Sequence, residues 1–259
     1  MSEREIDEAR EKIERFIREY IRESGASGVL VGLSGGLDSS VTAALCVSAL
    51  GEDAVTALSL PYRRSDPASL TDAGKIADYL RLNLEIIDIS PAVDAVLDSC
   101  CEPDKIRIGN VAARIRMVYL YDLSAERDLM VAGTGNRTEA LLGYSTLWGD
   151  MACAFTPLGG LFKTQERKLA AALGLPQWII EKTPTADLWP GQTDEGELGL
   201  SYEEADRILF ALFDEGKSAG EIISAGFSRD TVERVLSLYE RSHFKRRMPE
   251  YPEVSGLPL

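Results

Sequence analysis

Apolar residues recur at helical spacing near the start of the chain. Ile6, Ile13, Phe16, Ile17, Tyr20 and Ile21 stand among charges, and Gly25 and Gly28 follow. That period predicts an amphipathic helix over 3–23 with a glycine stop. The pattern then changes to short, almost wholly apolar runs: "GVLVGL" (28–33), "AVTALSL" (54–60), "NLEIIDI" (83–89), "DLMVAGT" (128–134) and "QWIIEK" (177–182). Helical patterns separate them, among them "SSVTAALCVSAL" (39–50), "PASLTDAGKIADYLRL" (67–82) and "NVAARIRMVYLYDLSAE" (110–126). Strands that are apolar on both faces and alternate with helices predict an α/β fold, a doubly wound parallel sheet of about five strands flanked by helices. Ligands of such sheets bind beyond the carboxyl ends of the strands. That rule singles out "SGGLDSS" (34–40), "PYRRS" (61–65) and "GTGNRTE" (133–139).

Beyond residue 182 the pattern lapses. "TPTADLWPGQTDEGELGLS" (183–201) has no period and is rich in Pro, Gly and acids. Aperiodic segments of that length are commonly lids or binding loops, and a mobile lid is expected here. Three helical stretches follow, "YEEADRILFALFDEG" (202–216), "SAGEIISAG" (218–226) and "RDTVERVLSLYERSHFKRR" (229–247), and then a "PEYPEVSGLPL" tail (249–259).

Composition narrows the class. The chain has 259 residues, 45% of them hydrophobic, enough for one sizeable core. It shows no repeat and no low-complexity linker, so residues 1–259 are read as a single domain. The N-terminus is charged from the start and no apolar run reaches the length of a membrane span. A soluble, cytoplasmic protein is therefore expected, with no membrane partner. Cys46 and Cys153 sit in apolar surroundings, Cys100 and Cys101 are adjacent, and His243 is the one histidine. Free thiols in a reducing compartment fit this, and a structural zinc site does not. The formal charge of −14 argues against a nucleic-acid partner. It also means that any polyanionic ligand must be met by local cations or by magnesium.

The chemistry concentrates in Ser34-Gly35-Gly36-Leu37-Asp38-Ser39. A strand, a glycine turn and a helix start aim backbone N–H groups at an anion, and the helix dipole adds to the attraction. A plain structural turn would use the same glycines. The loop lacks the lysine of the common phosphate-binding motif and carries Asp38 instead. That carboxylate makes sense if magnesium rides on the bound phosphates.

This loop resembles that of the N-type ATP pyrophosphatases, which share the adenine nucleotide alpha hydrolase-like fold and activate acids or amides with release of pyrophosphate. Within that superfamily the chain resembles the ammonia-dependent NAD synthetases. "GNVAARIRMVYLY" (109–121), "GTGNRTEALLGYSTLWGD" (133–150), "PLGGLFKTQ" (157–165) and "PTADLWPGQTDEGELGLSY" (184–202) carry the likeness in order over nearly the whole length. The resemblance implies a homodimeric ligase that amidates deamido-NAD with ammonia. ATP would be consumed to AMP and pyrophosphate through an acyl-adenylate, in the last step of NAD biosynthesis. It implies that Gly32, Leu33, Ser34, Gly35, Gly36, Leu37, Asp38 and Ser39 form the ATP phosphate loop, and that Thr134, Lys163 and Thr185 also contact ATP. Asp38 and Glu139 would hold Mg2+, and Asp38 and Lys163 would carry the catalysis. Arg114, Leu147, Ala154, Phe244 and Lys245 fall at positions that meet the acid substrate. Read without the resemblance, Glu139 and Lys163 would be solvated charges at helix starts, and Thr134 and Thr185 a strand end and a loop residue.

Three departures fall on the acid side. Leu147 stands where the family usually has lysine or another polar residue, Ala154 where an aspartate is typical, and Phe244-Lys245 where a His-Lys pair is usual. Drift explains them, or a paralogous AMP-forming ligase acting on another carboxylate. A sulfur- or tRNA-modifying relative would need cysteine pairs and a basic surface, which this chain lacks. A non-enzymatic nucleotide-binding module would have no use for Asp38, Glu139 and Lys163 together.

Overall fold

The computed structural model describes residues 1–99, 102–187, 189 and 191–252. The adjacent cysteines Cys100 and Cys101 and the last seven residues of the tail lie outside them. The chain runs α1 (Glu3–Ser24), β1 (Gly28–Gly32), α2 (Leu37–Leu50), β2 (Val55–Ser59), α3 (Pro67–Leu80), β3 (Leu84–Ile86), α4 (Ser90–Leu97), α5 (Lys105–Arg127) and β4 (Leu129–Ala132). It continues with α6 (Arg137–Leu142), α7 (Lys163–Ala172), α8 (Gln177–Ile180), α9 (Asp194–Leu198), α10 (Tyr202–Phe213), α11 (Ala219–Ser224) and α12 (Arg229–Arg241). The predicted leading helix forms, entered by a reciprocal Ser2–Glu5 capping box and ended by Gly25 at φ 73°.

Among the described residues four strands pair in parallel, in the order β3-β2-β1-β4. Alternation along β1 divides the core. Val29 and Val31 face a layer that includes Ile17, Val41, Leu45 and Leu169, contributed by α1, α2 and α7, and Leu158 from the segment before α7. Leu30 faces the opposite layer with Leu58, Ile89, Ile108 and Ala112, under α4 and α5. Each fully buried Val or Leu of this kind contributes roughly 1.5–3 kcal/mol of transfer free energy. A third cluster, with Leu142, Phe162, Tyr202, Ile208, Leu209, Val232 and Val235, binds α6, α10, α11 and α12 together.

The fifth strand expected at 177–182 is a correction. Residues 177–180 form the short helix α8, started after Pro176 and burying Ile179 while Trp178 stays 38% exposed. A brief apolar run does not by itself distinguish strand from helix. The sheet edge that a fifth strand would have used is met from elsewhere. Phe155 bridges to Ala132 in parallel, the Ala154 N–H donates to Val131 O (2.8 Å), and the Gly133 N–H donates to Phe155 O (2.8 Å).

Strand order reverses at β1. Its successor β2 lies on one side and β4 on the other, so a crevice opens between the C-terminal ends of β1 and β4. The loops at 33–36 and 133–136 leave from those ends.

Candidate active site

The loop after β1 is wound on its own hydroxyls. The Ser34 N–H donates to Ser39 Oγ (3.2 Å), the Gly36 N–H to Ser34 Oγ (3.2 Å), and the two serine oxygens stand 3.0 Å apart. Ser39 and Ser40 hydroxyls both donate to Gly36 O, at 3.1 and 2.7 Å. Gly35 adopts φ +78°, and a Cβ there would lie 2.2 Å from Ser69 O of α3. Only glycine fits, so the loop is pressed against α3 by its sequence. Asp38 follows in the first turn of α2, whose N-cap is Gly36.

The loop after β4 delivers the second carboxylate. Asn136 caps α6 by accepting the Glu139 N–H (3.0 Å), and the Glu139 carboxylate accepts the Asn136 N–H (3.3 Å). The same asparagine, fully buried, donates through Nδ2 to Asp38 Oδ1 (2.8 Å) and to Glu166 Oε2 (3.3 Å). One side chain thereby fixes the mutual positions of α2, α6 and α7.

Lys163 opens α7, and its side chain is fully buried. Its ammonium bonds Asp38 and stands 3.7 Å from Glu139 Oε1 and 3.5 Å from Glu166 Oε2, with the Tyr202 ring 5.6 Å away. A cation at a helix N-terminus opposes the helix dipole, so these carboxylates are what hold it there. The N-cap, Phe162, offers no side-chain acceptor to the helix. The caps come from other elements: the Lys163 N–H donates to Thr138 Oγ1 (3.0 Å) and the Thr164 N–H to Asp206 Oδ2 (2.7 Å). Thr138 in turn donates to Asp206 Oδ1 (2.5 Å). Asp206, buried on α10, is thus the support for the lysine's backbone.

Charge in this cluster is unbalanced. Asp38, Glu139, Glu166 and, from α9, Asp194 are gathered around one ammonium. Burial and the charge of Asp38 push Glu139 up to about 8. Burial and Asp38 likewise raise Glu166, and burial raises Asp194. Burial works against the charge of Asp38 too, but Lys163 outweighs it and Asp38 stays below the usual carboxylate range. Burial would likewise discharge Lys163, but the Asp38 and Glu166 charges overcome that and keep it protonated. Glu166 Oε1 and Asp194 Oδ1 are buried with no hydrogen-bond partner. Excess buried negative charge and orphaned oxygens are what a hard divalent cation would relieve. No three His, Cys, Asp or Glu side chains among the described residues form a ready cage. Magnesium on a nucleotide is commonly held by one or two carboxylates plus phosphates, so the donor set fits that group.

The remaining expected residues are not all brought together, and Ala154, packed at the sheet edge beside α1, stands apart from Arg114 and Lys245. Thr134 is half-buried at the C-terminal end of β4, while Thr185 is exposed and its hydroxyl accepts the Asp187 N–H (3.1 Å). Arg114, exposed on α5, points its guanidinium at Leu147 O (3.3 and 3.2 Å). Lys245 donates to Gly143 O (2.8 Å) and Ser145 O (2.6 Å), beyond the end of α6, and Phe244 beside it is 59% exposed. The Ala154 carbonyl accepts from Tyr20 OH (2.7 Å). Arg114 and Lys245 therefore converge on the 143–147 loop, which leaves the same helix that carries Glu139.

Sequence reasoning missed Asn136, Thr138, Glu166, Asp194 and Asp206. Asn136 had a signal, a capping residue three positions before Glu139. Thr138 lay within the 133–139 loop and Asp194 within the aperiodic 183–201 segment, while Glu166 and Asp206 read as ordinary helix-surface polar groups.

The family model for NAD synthase matches residues 9–249. The NH(3)-dependent NAD(+) synthetase of Chlorobium phaeobacteroides is 46% identical over 244 residues, 94% of this chain and 88% of that protein. Among solved structures, an NMN synthetase from Francisella tularensis is 34% identical with a TM-score of 0.85, covering 97% of this chain and 99% of that one. An NH3-dependent NAD synthetase from Campylobacter jejuni, in complex with nitrate, is 35% identical with a TM-score of 0.83, covering 98% and 100%.

Proposed function

The chain belongs to the NAD synthase family, and from that premise we propose that it is an AMP-forming carbon–nitrogen ligase that converts deamido-NAD and ammonia to NAD at the expense of ATP. The observation that carries this reading is the Lys163 ammonium, buried beside Asp38 and Glu139 where the loops after β1 and β4 meet.

The loop from Gly32 to Ser39 receives the ATP phosphates on its amides, with Thr134, Lys163 and Thr185 as further contacts. The nicotinate carboxylate attacks the α-phosphorus, the bond to the β-phosphate oxygen breaks, and pyrophosphate leaves with that electron pair. Lys163 meets the charge gathering on the departing oxygens, and because it is already oriented by its carboxylates it need not reorganise. Asp38 and Glu139 would hold magnesium, which supplies further positive charge to the phosphates. Ammonia then attacks the acyl carbon of the adenylate, AMP leaves, and the amide of NAD remains. Arg114, Leu147, Ala154, Phe244 and Lys245 form the acid side.

We assign residues 1–259 to one working unit, cytoplasmic and homodimeric, with 183–201 as its lid. Closure would exclude water, which competes with ammonia for the adenylate. Stiffening that segment should then raise the share of adenylate lost to hydrolysis, and an unchanged share removes the lid. No helix among the described residues is long and apolar enough to cross a membrane. The test of the activity is a chromatographic assay with ATP, magnesium, ammonium and deamido-NAD. NAD and AMP in equal amounts are expected. ATP binding without NAD formation would take the acid assignment away, and nicotinic acid mononucleotide run in parallel would show whether it is the preferred acid.

A further inference from the structure

Lys182 lies between α8 and the 183–201 segment, and neither the phosphate loop nor the carboxylate cluster includes it. Its ammonium nonetheless reaches both the loop and the helix behind it. Nζ donates to Gly35 O (2.8 Å) and to Asp72 Oδ2 of α3 (2.7 Å). Lys75 takes the other Asp72 oxygen (2.9 Å). The Asp72 carboxyl is opposed by burial, yet the hydrogen bonds and charges of Lys182 and Lys75 hold it below the usual range. Both partners are mostly covered, Lys182 with 23% and Asp72 with 14% of the side chain exposed.

The geometry of a peptide plane gives this contact a consequence. The carbonyl of Gly35 and the N–H of Gly36 belong to one planar unit and point in opposite directions. Holding Gly35 O toward Lys182 therefore turns the Gly36 N–H to the other side, where it meets Ser34 Oγ inside the loop. Glycine at position 35 leaves this plane with few steric restraints of its own. Contact with α3 restrains one side of it, since a Cβ on Gly35 would sit 2.2 Å from Ser69 O and 2.8 Å from Ala73 N. Lys182 restrains the carbonyl. An ammonium has three donors, and two are used here.

We propose that Lys182 is a positioning residue for ATP: clamped by Asp72, it fixes the Gly35–Gly36 peptide, whose N–H closes the loop on Ser34 Oγ, and so holds the loop in the shape that receives the phosphates, tying it to the root of the 183–201 segment. The proposal rests on the reading of 32–39 as the nucleotide loop. It does not depend on which acid is adenylated.

Lys182→Met, Lys182→Arg and Asp72→Asn test it in the full-length protein. Calorimetric titration with α,β-methylene ATP and magnesium reports loop geometry without any acid substrate. Steady-state kinetics with deamido-NAD give the split between KM and kcat. K182M is expected to weaken analogue binding and raise KM for ATP by about tenfold or more, with KM for deamido-NAD within twofold and the melting temperature close to that of the wild type. K182R should recover most of the loss, and D72N should shift ATP binding the same way by less. Wild-type analogue affinity in K182M overturns the proposal. So does a parallel rise in both KM values together with a lowered melting temperature, which marks a merely structural residue. If the wild type makes no NAD but binds the analogue in a Lys182-dependent way, the clamp stands and the assignment of the acid falls.

Discussion

Asp206 shows how a residue remote from substrate shapes the site. Its carboxylate supports the first turn of α7 through Thr138 and Thr164, and that turn carries Lys163. Burial raises its pKa despite those hydrogen bonds. A carboxyl raised in the folded state binds its proton more tightly there than in the unfolded chain, where it titrates near about 3.9. Its contribution to stability is thus complete below the unfolded pKa and is lost as pH rises through the folded one. Asp206→Asn lacks this dependence. The melting-temperature advantage of the wild type over D206N should shrink as pH rises from about 4, and a gap constant with pH contradicts the assignment. In sequence Asp206 lies on an amphipathic helix and reads as a solvated charge, as does Glu166 three residues after Lys163. Only the packing of α10 against α7 shows both to be buried. Asp38, Glu139 and Lys163 were legible because they sit in long strings resembling a known family. The single-residue signals of Glu139 and Lys163 alone pointed to surface charges, whereas Asp38 stood out by its place in the glycine loop.

The elements followed the hydrophobic pattern closely where each run was long or flanked by turn residues. Among the described residues four strands and α3 lie within the expected ranges, α2 and α5 run past theirs, and α4 (Ser90–Leu97) was not expected. The fifth failed because "QWIIEK" is short and follows a proline, so local apolarity could not choose between strand and helix. Glycine positions were legible in kind but not in consequence. Gly35 and Gly74 both stand in the α2–α3 region, yet only one is irreplaceable. Gly35→Ala places a Cβ against the backbone of α3 at a left-handed φ, so nucleotide binding should be lost. Gly74, inside α3, has no neighbour within 4 Å of an added Cβ. Gly74→Ala should stabilise the protein by about 0.5–1 kcal/mol through helix propensity. Denaturant titration and nucleotide binding on the two variants check the pair, and equal outcomes would contradict the loop's packing on α3.

At the scale of the whole molecule, charge and exposed apolar surface bear on assembly and activity. The acidity behind the −14 formal charge extends into the site, where Asp38, Glu139 and Glu166 surround the Lys163 ammonium. On α5, Ile106 is 65%, Val118 53% and Tyr121 39% exposed. Apolar side chains left outside on a helix that also carries Arg114 suit the proposed dimer, with the acid near the interface. Sedimentation should report a dimer at micromolar concentration and a shift toward monomer in Val118→Lys; a wild-type monomer removes the interface. The central claim is that the site activates a carboxylate as an adenylate. Deamido-NAD labelled with oxygen-18 in its carboxylate tests it most directly, with the products read by mass spectrometry after one turnover. Attack on the α-phosphorus predicts one labelled oxygen in AMP, one retained in the NAD amide, and none in pyrophosphate. Label in pyrophosphate or inorganic phosphate, with unlabelled AMP, would mean that the carboxylate is activated elsewhere on ATP, and the account would be wrong.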